Sequence, residues 1–175
     1  MSTENVIRIL EARENRAARH KMLREIYPGT LLALTMNIPG QNKSTPSAQK
    51  AFETGLESIR SIFSSRRVNV LKHEAGITDD GPQACWIVDT PPSLLKEWMM
   101  KVEETHPLGR LFDLDVSDEK GHTIHRESVG RKYRTCLICD DSAHACARSQ
   151  RHRIQELQQV IEKMINSYIE EEKYA

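Results

Sequence analysis

The hydrophobic and polar positions along this chain switch between the spacing of helices and that of strands. Apolar residues recur every three or four positions in three segments, near residues 3–26, 46–63 and 92–102, which predict helices. Apolar or alternating runs bounded by turn residues predict four strands, at residues 30–36, 68–74, 84–89 and 109–116. Residues 76–82 have the Gly and Pro content of a turn.

The order strand, helix, strand, strand, helix, strand is typical of an α+β, ferredoxin-like split βαβ (βαββαβ) core with an antiparallel sheet. A turn at 118–121 and a short return strand at 122–127 are expected to follow. We predict a single domain over residues 1–175. Its expected parts are an N-terminal helix (1–27), an α/β core (30–127), an Arg- and Cys-rich segment (128–152) and a long C-terminal helix (147–172).

Composition narrows the possible partners. The chain has 25 basic and 25 acidic residues, so no overall field attracts nucleic acid or an anionic membrane. The N-terminus lacks an apolar signal region, and no apolar run reaches the roughly eighteen residues that span a bilayer. We therefore expect a soluble, cytoplasmic protein that binds neither nucleic acid nor membrane.

The apolar run near residue 112 carries two carboxylates, Asp113 and Asp115. Residues two apart on a strand share a face, so these side chains should project together. Such a pair suits a hard cation such as Mg²⁺ and predicts metal-assisted phosphoryl or nucleotidyl transfer, although most Asp-x-Asp pairs are solvated strand residues. Arg110, on the same predicted strand, would either clamp a phosphate or pair with an aspartate.

Three of the four cysteines fall within residues 136–146. One interpretation is a structural zinc site made of Cys136, Cys139, Cys146 and His152, with His144 as a competing ligand. The other is that Cys136 and Cys146 are small buried residues, with Arg148 and His152 as substrate or structural contacts.

Two motifs carry a family resemblance: His-Pro-Leu-Gly-Arg-Leu-Phe-Asp-Leu-Asp-Val at 106–116, and Arg-x-Cys-Leu-x-Cys followed by Cys-Ala-Arg-x-x-x-His at 134–152. Together with a looser likeness in the loop 37–43, they resemble the citrate lyase holo-acyl-carrier-protein synthase family, also called apo-citrate lyase phosphoribosyl-dephospho-CoA transferases. The resemblance implies a nucleotidyltransferase. It would move triphosphoribosyl-dephospho-CoA onto a serine of the apo-acyl-carrier (gamma) subunit of citrate lyase and release pyrophosphate.

The resemblance also favours His152 as the fourth zinc ligand. The family pattern carries arginine at the positions of Arg126 and Arg134. The expected catalytic residues are Asp113, Asp115 and Arg110, with Mg²⁺ on the two aspartates. The expected substrate-binding residues are Lys43, Arg126, Arg134 and Arg148, with Arg131 and Lys132 given less weight. His106 is expected to be a structural turn residue rather than a proton shuttle.

Two other functions fit parts of the pattern. A zinc-stabilised module could bind nucleic acid or protein through the arginines between residues 126 and 153, although zero net charge and few aromatic residues weaken this alternative. A sugar transferase would use Asp-x-Asp with the same metal chemistry. Those enzymes are usually longer, and no Gly-rich phosphate loop follows the first strand here.

Overall fold

The computed structural model describes residues 3–40, 42–130, 133–139 and 141–174. Its helices and strands confirm the α+β class and the two terminal helical regions. In chain order they are α1 (Thr3–Ile26), β1 (Thr30–Met36), α2 (Pro46–Ser65), β2 (Val70–Thr78), β3 (Gly81–Val88), α3 (Pro92–Thr105), β4 (Phe112–Ser117), α4 (Ala143–Ser149) and α5 (Ile154–Glu172). Short 3₁₀ turns occupy Gly109–Leu111 and Glu127–Val129.

The strands form one sheet in the order β2-β3-β1-β4, and every neighbouring pair is antiparallel. Helices α2, α3 and α5 pack on one face of this sheet, where Leu32, Leu34 and Leu114 are buried. Helix α1 crosses the opposite face and places Leu23 against Leu31. Because helices cover both faces, β1 is apolar on both sides over residues 31–34, which explains the hydrophobic run there.

The helices differ in how they are held. Helix α2 is amphipathic and begins at an N-cap, Thr45, whose side chain accepts a hydrogen bond from the Ala48 amide, with Pro46 in the first turn. Helix α1 is polar around most of its circumference, and Leu23 is its one fully buried residue among those described. None of the helices in the described ranges is both long and apolar enough to cross a membrane.

Two local predictions in the middle of the chain are wrong. Residues 76–82 are not a long turn, because β2 and β3 extend to a two-residue turn at Asp79 and Asp80 and pair up to Thr78 and Gly81. The return strand at 122–127 is also absent from the described structure. One bridge joins Ser117 to Thr123, after which the chain turns into the 3₁₀ helix at Glu127–Val129.

The predicted helix over 147–172 is broken into α4 and α5. Gln150 takes a left-handed conformation (φ 48°) and caps α4, a backbone state that ends a helix. Residues 150–153 then reverse the chain, and α5 starts at Ile154. His152 consequently lies between the two helices and not on the first turns of one long helix.

Candidate active site

The two aspartates lie on β4, an edge strand that pairs only with β1 in the described sheet. Phe112, Leu114 and Val116 are buried beneath the helices, while Asp113 and Asp115 project from the other face, so the prediction that they share a face is confirmed. Asp115 is exposed at its tip, but the protein atoms around it displace water from its carboxylate and so raise its pKa. The negative charge of the neighbouring Asp113 raises this pKa further. A cation would relieve this repulsion.

Arg110 does not lie on that strand, contrary to the prediction. It sits in the 3₁₀ turn at Gly109–Leu111, which forms because Gly109 touches α3; a Cβ there would lie 2.4 Å from the carbonyl oxygen of Val102. The guanidinium donates to the Thr135 carbonyl, and its Nε is buried without a partner. Within the described residues no carboxylate pairs with Arg110, so its predicted alternative role as an ion pair to an aspartate is wrong.

Side chains, rather than another strand, pair with the free edge of β4 at Phe112 and Leu114. The Leu114 amide donates to Glu103 (3.1 Å), and the Leu114 carbonyl accepts a hydrogen bond from Lys96 Nζ (2.9 Å). Arg134 donates to the carbonyl of Phe112 (3.0 Å). Buried polar backbone is costly unless it is paired, so these three bonds stabilise the strand that carries the aspartates.

Glu103 is the centre of a buried charge cluster. Its side chain is 2% exposed and forms ion pairs with both Arg126 and Arg134. Arg134 also approaches Asp113, with Nη1 3.9 Å from Oδ1. Arg134 therefore links the buried carboxylate to the aspartate pair.

Lys96 and Glu103 were missed in the sequence. They lie seven residues apart on α3, with Met99 and Met100 between them, so the four residues share one buried stripe of the helix. Their helical spacing places them toward the interior, but ionisable residues are rarely fully buried. The sequence pattern does not show that the backbone of β4 pairs with their side chains.

We expect Glu103→Gln to lower the free energy of unfolding by about 3 kcal/mol. Removing one partner of a buried ion pair typically costs about 3–5 kcal/mol, and the partial hydration of Arg126 and Arg134 favours the lower end of that range. Urea unfolding followed by far-UV circular dichroism measures the loss. Glu97→Gln, at an exposed position of the same helix, is the matched control and should stay within about 0.5 kcal/mol of the parent. Equal stability of both variants would contradict this role of Glu103.

Two adjoining cavities open beside β4. The smaller, about 490 Å³, is lined by Asp113, Asp115 and three cationic side chains, those of Lys96, Arg126 and Arg134. The larger, about 650 Å³, is lined by Arg110, by residues of the cysteine segment and by the start of α5. Asn37, Arg134, Ala143 and Ala147 line both. Together the cavities form a groove with one charged half and one mixed half, a size and chemistry suited to a large phosphorylated ligand.

The cysteine segment brings four metal-ligand atoms together beside the larger cavity. The ligand atoms of Cys136, Cys139, Cys146 and His152 all lie within 4.8 Å of one another, and His152 Nε2 is 3.2 Å from Cys139 Sγ. This Cys₃His cluster can bind a metal ion. Cys146 is supplied by α4 and His152 by the reversal that follows it, so the broken helix is what closes the cluster.

The thiols of this cluster differ in acidity. Burial opposes ionisation of Cys136, but hydrogen bonds from the backbone N–H groups of Ile138 and Cys139 lower its pKa on balance. Burial and the two nearby thiols raise the pKa of Cys146 to about 11. A bound metal cation would remove the mutual repulsion of these neighbouring thiolates.

Comparison with known proteins decides the family. Residues 4–168 match the family model described as apo-citrate lyase phosphoribosyl-dephospho-CoA transferase. The chain belongs to this family. It is 37% identical, over 79% of its length and 78% of the relative's, to a probable apo-citrate lyase phosphoribosyl-dephospho-CoA transferase of Vibrio cholerae serotype O1.

Two further relatives cover more of the chain. A Streptococcus pyogenes protein of the same name is 35% identical over 91% of this chain and 84% of its own length. Protein CitXG of Haemophilus influenzae is 31% identical over 91% of this chain, which spans 34% of that protein.

The other residues suggested by the family resemblance are scattered. Lys43 pairs with Asp80 (2.8 Å) at the β2–β3 turn and is not among the side chains that line the two cavities. Arg148 is exposed in the last turn of α4. Arg131 and Lys132 lie outside the described residues. Of the predicted substrate-binding residues, the structure thus brings Arg126 and Arg134 to the aspartates.

His106, the first residue of the family motif, has a structural environment. Its Nδ1 accepts a hydrogen bond from the Leu108 amide (3.0 Å), and its ring packs against Phe112 and Tyr168. Burial lowers its pKa. These contacts agree with the turn role predicted for it.

Proposed function

We propose that this chain transfers the 2′-(5″-triphosphoribosyl)-3′-dephospho-CoA group to a serine of the acyl-carrier (gamma) subunit of citrate lyase and releases pyrophosphate. Family membership supports the group transfer. The observation that carries the proposal is the aspartate pair of β4, set in a cavity beside Lys96, Arg126 and Arg134. This arrangement offers both a cation site and positive charge for a polyphosphate.

In the proposed reaction the serine Oγ attacks the phosphorus attached to the ribose. The bond from that phosphorus to the bridging oxygen of the outer diphosphate breaks, and pyrophosphate leaves. The hydroxyl proton passes to a carboxylate of the Asp113–Asp115 pair. Arg134, fixed between Glu103 and Asp113, holds positive charge beside the reacting phosphate.

The donor set of the aspartate pair fits Mg²⁺. Asp113 and Asp115 supply hard carboxylate oxygens on one strand face, and Thr35, directly opposite Asp113 on β1, supplies a hydroxyl. When bound there, Mg²⁺ neutralises phosphate charge. Asp113 and Asp115 would hold it.

The larger cavity is proposed to take the dephospho-CoA part of the substrate. Arg110 lines it and has no carboxylate partner among the described residues, so its charge is available for the diphosphate that links adenosine to pantetheine. The surrounding walls include Leu137, Ile154 and Leu157, which suit the base and the pantetheine chain. This gives Arg110 a binding role different from the strand-borne clamp predicted from sequence.

The Cys136, Cys139, Cys146 and His152 cluster is proposed to bind structural zinc. Three thiolates and one imidazole form a closed four-ligand set with no position left for substrate, as in structural sites. Bound zinc would join the knuckle at Cys136 and Cys139 to the reversal between α4 and α5, both of which line the larger cavity. The role of the metal is thus to hold a cavity wall.

The core is proposed to be of the ferredoxin-like, split βαβ type. Its support is that β1 and β3 form the central antiparallel pair and that the connecting helices α2 and α3 pack on one face. A nucleic-acid module is less consistent with the site, because Arg126 and Arg134 turn inward to Glu103 and are not presented to an external partner.

The test is the intact mass of the apo-carrier subunit after incubation with this protein, Mg²⁺ and triphosphoribosyl-dephospho-CoA. The expected result is a mass gain equal to the prosthetic group, with one pyrophosphate released per carrier. A carrier whose acceptor serine is replaced by alanine is the matched control and should stay unchanged. An unmodified wild-type carrier, under conditions where a known family member modifies it, would overturn the proposal.

A further inference from the structure

A third cavity, of about 360 Å³, lies on the other side of the aspartate pair, between α1 and the sheet. Asp113 and Asp115 line it as well as the smaller cavity beside β4, so the two carboxylates stand between two spaces. No sequence motif pointed to α1. The side chains that α1 contributes to this cavity are those of Arg13, Arg16, Ala17, His20 and Arg24.

The space exists because small side chains meet there. Ala33 lies directly opposite Asp115 in the β1–β4 register, and Ala17 faces them from α1. Nearer the C-terminal end of α1, larger residues such as Leu23 and Leu31 fill the same interface with an apolar core. The interface thus changes from packed and apolar to open and polar at the aspartates.

The α1 wall of this cavity is positively charged. Arg13 and Arg16 both bind Asp80, at 3.1 and 3.0 Å, and Lys43 binds the same carboxylate, so one negative charge is shared among three cations. Arg24 donates to Ser117 Oγ (3.4 Å), and within the described residues it forms no ion pair. Burial, and then Arg16 and Arg24, lower the pKa of His20 to about 4, which agrees with an excess of positive charge.

Distances along β4 fit a diphosphate. Asp113, Asp115 and Ser117 share a strand face, and Arg24 contacts Ser117 at the end of that row. Two residues of strand span about 7 Å, so an anion held near Asp115 through a cation can reach the Arg24 guanidinium if it contains two linked phosphates. Ser117 and Thr123, which also line the cavity, add hydroxyl groups.

We infer that the cavity under α1 is the subsite for the outer diphosphate of the substrate and for the pyrophosphate that leaves, with Arg24 as its main anion contact. This inference rests on the proposed function and adds the orientation of the substrate in the cavities. The ribose phosphorus lies at the aspartate pair, the dephospho-CoA part extends toward Arg134 and Arg110, and the diphosphate extends under α1.

The test is calorimetric titration of inorganic pyrophosphate, with and without Mg²⁺, into the full chain and its variants. Arg24→Gln should weaken pyrophosphate binding roughly ten- to hundredfold, the size expected for losing charge-assisted hydrogen bonds. The matched control is Arg8→Gln on the same helix, because Arg8 is exposed, pairs with Asp79 and does not line this cavity. The pyrophosphate affinity of Arg8→Gln should stay within about twofold of wild type.

A second variant guards against misfolding of α1. Ala17→Glu keeps every arginine and a good helix former, but adds a negative charge at the cavity wall, so it too should weaken pyrophosphate binding. The inference is overturned if Arg24→Gln binds pyrophosphate like wild type, or if Arg8→Gln loses as much affinity as Arg24→Gln. The latter result would mean attraction to the whole helix rather than a subsite.

Failure of this inference can be told apart from failure of the proposed function. If the wild type modifies the carrier while Arg24→Gln retains both pyrophosphate affinity and KM for triphosphoribosyl-dephospho-CoA, the subsite is wrong and the transferase stands. If the wild type binds pyrophosphate through Arg24 but never modifies the carrier, the subsite stands and the proposed transfer is wrong.

Discussion

Asp113→Asn and Asp115→Asn should each reduce transfer to the carrier by on the order of a hundredfold or more, the size of effect seen when one electrostatic group is removed from a reaction centre. Both substitutions are nearly isosteric and remove a carboxylate from the proposed cation site. Initial rates from intact-mass time courses measure the effect. Asp79→Asn, at an exposed aspartate of the β2–β3 turn, is the control and should retain wild-type rates.

The stability of Asp115→Asn provides a second readout, because the fold does not need this charge. The folded protein raises the pKa of Asp115, so ionised Asp115 costs stability at neutral pH, and that cost disappears below the unfolded pKa of about 3.9. The variant should therefore melt at the same temperature as wild type or higher at pH 7, and the difference should shrink as the pH falls toward 4. Wild-type turnover by either variant would exclude the aspartates from the reaction.

Cys136→Ser should cause the largest loss of stability. Structural zinc contributes about 10–16 kcal/mol to the folding of small zinc-finger peptides, and here the cluster joins the cysteine segment to the start of α5. We expect about one zinc per chain in the purified protein by inductively coupled plasma mass spectrometry, much less in the variant, and a clearly lower melting temperature. A strong chelator should lower the melting temperature of the wild type in the same way.

Cys85→Ser separates zinc binding from ordinary burial of a thiol. Cys85 is buried on β3 next to Ala33 and Ile87, away from the cluster, so its substitution should lower stability modestly and leave the zinc content unchanged. If the wild-type protein contains no metal and its melting temperature does not respond to chelator, the three thiols are ordinary buried side chains and not zinc ligands.

Residue spacing predicted several local parts of this molecule. Alternation along 112–116 placed Asp113 and Asp115 on one face. The spacing of the cysteines suggested a metal cluster as one of two interpretations, and the family resemblance favoured His152 as its fourth member; the structure brings these four residues together. Helix spacing also located α1, α2 and α3. For the aspartate pair and the helices, the deciding contacts lie within one element.

The remaining features depend on contacts between distant segments. Arg110 leaves the strand because Gly109 packs against the α3 backbone, and Gly76 looks like a turn residue although its strand continues to a two-residue turn. The role of Glu103 depends on Leu114 and on two arginines that follow later in the sequence. The cations of α1 line one cavity with the aspartates only because α1 crosses the sheet face opposite α2 and α3. None of these relations has a fixed spacing in the sequence.

The side chains that satisfy the outer edge of β4 also determine how other molecules can approach it. An unpaired edge strand is a template for another strand, whether from a partner or from a second copy during aggregation. Lys96, Glu103 and Arg134 already occupy the Phe112 carbonyl and both backbone groups of Leu114. Under the proposed function, the carrier therefore does not dock by extending the sheet at Phe112 and Leu114, and the same bonds protect this strand from intermolecular β-pairing.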